Sequence, residues 1–98
     1  MNWVLKLRKV VLRDVNDACA WYDAQRIGLG AEFRAEVDRV LAKLEQQPLS
    51  FQDIYHGVRR VGLKRFPYRV YYRVRGREVR VFAVVHGARP PEIWQKRI

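Results

Sequence analysis

The feature that most constrains this chain is a change of hydrophobic period near the middle of its 98 residues. Before Pro48, apolar residues recur every three or four positions, which indicates helices; from Val58 onward they tend to alternate with polar residues, as strands do. A chain of this length builds one core and not two. We therefore predict a single α+β domain over residues 1–98, with an N-terminal helix hairpin packed on one face of a small, twisted antiparallel sheet.

Two helices are predicted in the first half. The first runs from about Lys9 to Arg26 and carries its apolar residues at Val11, Val15, Ala18, Cys19 and Tyr22. The segment Gly28-Leu29-Gly30 interrupts the pattern, because glycine accepts the left-handed conformation that ends helices. The second helix has Phe33, Val37, Val40, Leu41 and Leu44 on one face and ends at Pro48. Helices joined by so short a turn are expected to lie antiparallel.

The second half predicts three consecutive strands after a loop over residues 49–57. They are Val58 to Leu63, Pro67 to Val74 and Glu78 to Val85, and a weaker candidate, Trp3 to Leu7, precedes the helices. Short turns such as Arg75-Gly76-Arg77 favour an antiparallel meander. Pro90-Pro91 ends regular pairing, and residues 92–98 are expected to form a last helical turn or a tail.

Alternation gives the predicted sheet two unlike faces. The apolar face, expected to pack against the helix hairpin, carries Val61, Leu63, Tyr68, Val70, Tyr72, Val74, Val79, Val81, Ala83 and Val85. The other face interleaves cations with aromatic rings and carries Arg60, Lys64, Arg69, Tyr71, Arg73, Arg80, Phe82, Val84 and His86. Like charges on neighbouring strands repel, so this face predicts an anionic ligand; a register shift of one residue would exchange the faces.

The net charge of +10 lies entirely in the second half of the chain. Residues 1–57 hold eight basic and eight acidic side chains, whereas residues 58–98 hold twelve basic side chains against Glu78 and Glu92. Such asymmetry points to a polyanion or an acidic partner, and the alternative is a basic surface that only confers solubility.

The composition argues against the membrane and secreted classes. No stretch approaches the ~20 apolar residues of a membrane span, and Met1 to Lys9 lacks the apolar run of a signal peptide. The single cysteine, Cys19, has no partner for an internal disulfide and is expected in the core, which favours a reducing cytoplasm. We predict neither a metal site nor a cofactor.

Four segments, in order, resemble one family of small toxins. Asp14-Val15 through Ala20-Trp21-Tyr22, followed by Gly28-Leu29-Gly30 and Phe33, looks like the helix hairpin of ParE/RelE toxins. Arg65-Phe66-Pro67-Tyr68-Arg69-Val70-Tyr71-Tyr72 resembles the central strand of that family. Ala83-Val84-Val85-His86-Gly87-Ala88-Arg89-Pro90-Pro91-Glu92-Ile93-Trp94 resembles its C-terminal signature, in the ParE-like, plasmid-stabilisation branch.

The resemblance implies the toxin of a type II toxin–antitoxin system with the same helix-on-sheet fold. The partner would be a small antitoxin, often with a DNA-binding domain, whose acidic or amphipathic segment wraps the toxin. Two activities occur in the family: RelE-like members cleave mRNA on the ribosome, and ParE-like members interfere with DNA gyrase and block replication. The fold alone does not decide between them.

A ribonuclease needs a base, an acid and cations around the phosphate. If the chain is such a metal-independent endoribonuclease, its catalytic residues would be His86, Arg69 and Arg89, with Tyr71 stacking on a base or donating a proton. RelE-like enzymes, however, generally carry catalytic groups, often a tyrosine, near their extreme C-terminus, and no tyrosine or histidine follows His86 here. In the ParE-like branch His86 is instead expected to be structural, hydrogen-bonded where the last strand ends.

The leading hypothesis is therefore a non-enzymatic inhibitor of DNA gyrase that a cognate antitoxin neutralises. The alternatives are a RelE-like, ribosome-dependent mRNA endonuclease and a non-toxic basic module that binds nucleic acid. The residues predicted to bind the target or the antitoxin are Arg60, Lys64, Arg65, Arg69, Tyr71, Arg73, Arg80 and Trp94. For Trp94, a role as a packing anchor for the tail is the competing interpretation.

Overall fold

The computed structural model describes residues 2–98 as two helices packed on one face of a five-stranded sheet, which confirms the predicted α+β class. The strands are β1 (Val4–Leu7), β2 (Asp53–Tyr55), β3 (Val58–Gly62), β4 (Tyr68–Arg75) and β5 (Glu78–His86). The helices are α1 (Lys9–Gln25), α2 (Leu29–Gln46) and the short α3 (Glu92–Gln95), and a 3₁₀ turn covers Pro48–Ser50. Within residues 2–98 no helix has the length and apolar character needed to cross a membrane.

Two glycines at the junction between α1 and α2 have different roles. Gly28 has a φ of +91°, the left-handed conformation that the sequence predicts for this turn. Gly30 lies inside α2 rather than in the turn, and a Cβ added to it would lie 2.5 Å from the backbone oxygen of Cys19. Its N–H donates to the Asp23 carboxylate at 2.7 Å, which satisfies an amide in the first turn of α2. The predicted helix hairpin is confirmed, with the two helices in very close contact at this point.

The sheet has the strand order β1-β5-β4-β3-β2. Strands β3 to β5 form the antiparallel meander that the sequence predicts, and β2 adds to it antiparallel to β3. Strand β1 adds to β5 in parallel, with Val4 opposite Glu78, so the whole sheet is mixed rather than purely antiparallel. The helices and the meander supply the long connection that parallel neighbours require.

The prediction of a plain loop over residues 49–57 is wrong, because this segment holds the 3₁₀ turn and β2. The Asp53 carboxylate accepts the N–H groups of Tyr55 and Gly57 at 3.1 and 3.2 Å, which shapes the turn from β2 into β3. A strand of three residues has too few positions to show a period, so alternation gives no signal for it.

The main core lies between the helix hairpin and the sheet. Four aromatic rings contact one another there, with centroids 4.8–6.0 Å apart; they belong to Tyr22, Phe33, Phe66 and Tyr68. Tyr72 is fully buried, and its hydroxyl donates to the carbonyl oxygen of Pro48 at 2.5 Å. Burial raises the pKa of the Tyr72 phenol to about 12.

A β-bulge at Phe82 changes the alternation of β5. Tyr71 faces Ala83 on β5, whereas the next residue, Tyr72, faces Val81, so Phe82 has no partner on β4. One extra residue in a strand inverts the faces of all residues beyond it.

The predicted faces are therefore wrong for the last four residues of β5. Val84 packs in the main core, whereas Ala83 and Val85 turn to the opposite face. His86 likewise lies opposite Tyr68 and shares its face, instead of belonging to the cationic face. The bulge is the physical reason for these corrections, since β4 keeps a regular alternation.

A second apolar cluster covers the middle of the sheet face that points away from the helices. Its buried members are Val58, Tyr71, Phe82, Ala83, Val85 and Trp94. Helix α3 brings Trp94 onto the sheet, where its ring stacks on Tyr71 with centroids 4.7 Å apart and 18° between the planes. The face predicted to be open and cationic is thus covered at its centre.

Candidate anion-binding groove

A concave groove of about 480 Å³ lies on the sheet face opposite the helix hairpin, at the end formed by β1, β5 and β4. Six of its lining residues are charged: Lys6, Arg8, Arg73, Arg75, Glu78 and Arg80. The remaining lining residues are Leu7, Val81, Phe82 and Ile98. Five cations against one carboxylate make this groove strongly electropositive.

The groove contains a row of three cations on three neighbouring strands. Lys6 on β1 faces Arg80 on β5, and Arg80 faces Arg73 on β4. Neighbouring strands are ~4.8 Å apart, so the three side chains begin close to one another. Like charges directly opposite destabilise a sheet, and an anion in the groove would reduce that repulsion. Lys6 belongs to this row because β1 pairs with β5.

Two of the arginines are held in place by neutral groups that leave their charge intact. Arg73 donates to the carbonyl oxygen of His56 at 2.9 Å. Arg8 donates to the carbonyl oxygen of Arg97, and its guanidinium lies over the Phe82 ring at 5.8 Å from the centroid. These contacts orient the guanidinium groups in advance of any ligand.

The single carboxylate in the groove is paired. Glu78 Oε1 lies 2.7 Å from a terminal nitrogen of Arg80 and accepts a hydrogen bond from its Nε at 2.8 Å. That hydrogen bond, with the charges of Arg80 and Lys6, lowers the pKa of Glu78. Glu78 is therefore ionised at neutral pH and is a weak base.

Two of the groove cations, Arg73 and Arg80, are among the predicted binding residues, and three were missed. Lys6 and Arg8 lie on or beside β1, whose neighbour in the sheet cannot be read from local periodicity, and Arg75 was assigned to a turn but is the last residue of β4. The alternation of Lys6 and Arg8 at the end of the weak first strand was the available signal.

The predicted binding residues Lys64 and Arg65 lie away from this groove. Both line a second cavity, of about 290 Å³, beside α2 and β3. The Arg65 guanidinium lies 2.6 Å from Glu32, and its backbone N–H donates to the buried carboxylate of Glu36 at 2.9 Å. The hydrogen bond from Arg65 lowers the pKa of Glu32. Through these two contacts Arg65 anchors the loop between β3 and β4 to α2.

Arg60 and Arg69 share the sheet face of the groove but are separated from it. Tyr71 lies between Arg69 and Arg73 on β4, and Arg60 faces Tyr71 from β3. The Tyr71–Trp94 stack therefore divides the predicted cationic face into two parts. Tyr71 and Trp94 are 3% and 6% exposed, so with α3 in this position a partner has little access to either ring.

The three residues predicted to be catalytic in a ribonuclease do not lie together on one face of the sheet. Arg69 pairs with Val85 and points to the face opposite the helices, whereas His86 shares the helix face with Tyr68, its ring 5.4 Å away. His86 Nδ1 accepts the N–H of Ala88 at 2.9 Å, the hydrogen bond expected for a structural histidine where the last strand ends. Arg89 is exposed in the turn that follows.

The same arrangement of helices and sheet occurs in solved toxin–antitoxin structures. One is the chromosomal ParDE toxin–antitoxin system from P. aeruginosa, with a TM-score of 0.75, 19% identity, and coverage of 86% of this chain and 95% of that chain. Another is an arginine double mutant of the E. coli toxin RelE in complex with an antitoxin RelBc peptide, with a TM-score of 0.66, 17% identity, and coverage of 100% and 96%. At these identities the likeness concerns the fold.

The sequence itself assigns the family. Residues 5–91 match the family described as ParE toxin of type II toxin–antitoxin system, parDE. This chain belongs to that family, which confirms the resemblance found in its four ordered segments. A search of curated proteins finds none that matches this chain.

Proposed function

We propose that this toxin arrests growth by binding and blocking DNA gyrase, without cleaving a substrate of its own. The observation that carries the proposal is the composition of the groove, whose lining residues comprise five cations and one carboxylate but no imidazole or phenol. Four of the five cations are arginines, which stay protonated at neutral pH and cannot exchange a proton with a substrate. Such a site suits the binding of an anionic surface better than acid–base catalysis.

A cognate antitoxin is proposed to neutralise the toxin. The two solved structures support this, since their names describe a ParDE toxin–antitoxin system and a RelE toxin bound to an antitoxin peptide. An acidic or amphipathic antitoxin segment would complement the cations of the second half of this chain.

The test combines a growth assay with a supercoiling assay on purified components. Induction of the toxin without its antitoxin is expected to stop colony growth; normal growth would instead favour a non-toxic basic module. Toxin from the same expression is then mixed with DNA gyrase and relaxed plasmid. We expect supercoiling to fall with toxin concentration and to return when the antitoxin is added. Full supercoiling at saturating toxin contradicts the gyrase proposal.

The alternative is a ribosome-dependent mRNA endonuclease. It is favoured by one contact, the His86 ring beside Tyr68, with ring centroids 5.4 Å apart. Burial raises the pKa of Tyr68, while the charge of Arg89 lowers it. Discrete cleavages in primer extension on mRNA from induced cells would establish this activity, whereas intact transcripts in growth-arrested cells would exclude it.

A further inference from the structure

We propose that the electropositive groove holds the phosphodiester backbone of a nucleic acid. The site consists of Lys6, Arg8, Arg73, Arg75 and Arg80 on the sheet face opposite the helix hairpin. Binding of this kind goes beyond the proposed action on gyrase and does not require it, because it is a property of the toxin with nucleic acid alone.

The first argument is uncompensated charge. Within residues 2–98, Lys6 and Arg75 have no side-chain hydrogen bond or ion pair, and Arg8 and Arg73 donate only to neutral carbonyl oxygens. Arg80 alone is neutralised, by Glu78. Five cations and one carboxylate thus leave a net charge of four positive charges among the residues that line this groove of about 480 Å³.

The second argument is the spacing of the charges. The row formed by Lys6, Arg80 and Arg73 crosses three strands and so covers ~10 Å, and Arg75 lies ~7 Å further along β4. An extended acidic peptide presents same-face carboxylates only every ~7 Å, whereas one strand of a duplex carries a phosphate charge per ~3.4 Å of the helix axis. A phosphodiester backbone therefore matches this density of cations better than an acidic protein segment does.

The third argument concerns what the groove lacks. Among its lining residues the one aromatic ring belongs to Phe82, which is buried and covered by Arg8. No ring is exposed on which a base can stack, so the groove contacts the backbone and does not distinguish base sequence. Four of the five cations are arginines, whose planar guanidinium groups bind phosphate oxygens in pairs.

The experiment compares two double variants with the same net charge. Lys6→Gln with Arg75→Gln removes two groove cations that have no protein partner. Arg13→Gln with Lys43→Gln removes two exposed cations from the helices, on the other side of the molecule. Binding to a fluorescent 20-base-pair DNA of arbitrary sequence, to a single-stranded RNA and to a poly-glutamate peptide is measured from low to moderate salt.

The unaltered toxin is expected to bind both nucleic acids, with a logarithmic salt slope on duplex DNA of about −4 for four phosphate contacts. The groove variant should bind at least about tenfold more weakly with a slope smaller by about two, and the helix variant should change affinity less than about threefold. The relative affinities for DNA and RNA identify which nucleic acid is preferred.

Equal losses in both variants would mean that only net charge matters and would overturn the site. Binding of poly-glutamate without binding of nucleic acid would assign the groove to an acidic protein partner instead. Since gyrase is absent from this assay, either result is independent of the supercoiling test.

Discussion

The guanidinium of Arg97 forms an ion pair with the carboxylate of Asp14 at 2.6 Å, and the two side chains are only 20% and 12% exposed. The same carboxylate accepts the N–H of Val84 at 2.9 Å, and Arg97 donates to the carbonyl oxygen of Phe82 at 3.2 Å. One shielded carboxylate thus joins α1, the bulged part of β5 and the segment after α3. Two backbone groups of β5 in and beyond the bulge, the carbonyl oxygen of Phe82 and the N–H of Val84, find their partners here.

Loss of this carboxylate should destabilise the fold strongly. We expect Asp14→Ala to lower the free energy of unfolding by about 3 kcal/mol, because a shielded guanidinium and a backbone N–H lose their partner together. Asp17→Ala, an exposed carboxylate on the same helix, should change it by less than about 0.5 kcal/mol. Urea unfolding measures both variants, and equal stabilities would contradict the assigned role of Asp14.

Replacement of Gly30 by alanine is expected to destabilise the protein, the reverse of the usual effect of alanine in a helix. Alanine normally stabilises a helix relative to glycine, by about 0.5–1 kcal/mol. Here the added Cβ would lie 2.5 Å from the Cys19 carbonyl oxygen and 2.8 Å from the Asp23 side chain, so we expect Gly30→Ala to destabilise by about 2 kcal/mol. Gly62→Ala is the control, since nothing lies within 4 Å of its added Cβ. A Gly30→Ala protein as stable as the control would show that the helices can separate freely.

Trp94 should behave as a core residue and not as a surface one. Trp94→Ala removes the stack on Tyr71 and is expected to cost about 3 kcal/mol of unfolding free energy. Trp21, which is 59% exposed, provides the comparison, and Trp21→Ala should cost less than about 1 kcal/mol. Thermal unfolding followed by circular dichroism distinguishes the two. A small effect at Trp94 would mean that α3 contributes little to the stability of the sheet.

The raised pKa of the Tyr72 phenol predicts that the protein loses stability at alkaline pH. Its pKa is raised from the ordinary 10.0 to about 12 in the folded protein, so the unfolded chain releases this proton first. The stabilisation is therefore complete below pH ~10 and is lost as the pH rises towards ~12.

We expect the Tm of the unaltered protein to fall more steeply over this pH range than that of Tyr72→Phe. At neutral pH the same variant should lose about 1 kcal/mol, since the hydrogen bond to Pro48 is absent. Tyr55→Phe, at a ring that is 41% exposed, should leave the alkaline profile unchanged. Parallel profiles for all three proteins would contradict the prediction for Tyr72.

Much of the fold follows from local pattern. The helical period placed Val11, Phe33 and Leu44 in the core, and all three are buried there. Alternation placed Val70 and Tyr72 on the helix side of β4, where they are fully buried. The family followed in the same way, because its segments are contiguous runs of residues. In each case the information lies within one turn, one helix or one strand.

The candidate site was predictable only in part. Arg73 and Arg80 belong to regular strand segments before the bulge, so alternation placed them on the correct face. Lys6 lies in the same groove through a pairing with Arg80, a residue 74 positions further along the chain. The bulge at Phe82 then moved His86 to the other face, although neither glycine nor proline marks that position in the sequence.

The sequence by itself determined the helix hairpin, the strand-rich second half and the concentration of charge there, since each depends on the order of neighbouring residues. Only the tertiary structure decided the order of the strands in the sheet, the position of the β-bulge in β5, and the packing of α3 over Tyr71. These choices depend on hydrogen bonds and packing between residues far apart in the chain, and local periodicity carries no information about them. The result is one open groove at the β1 end of a face whose centre is buried.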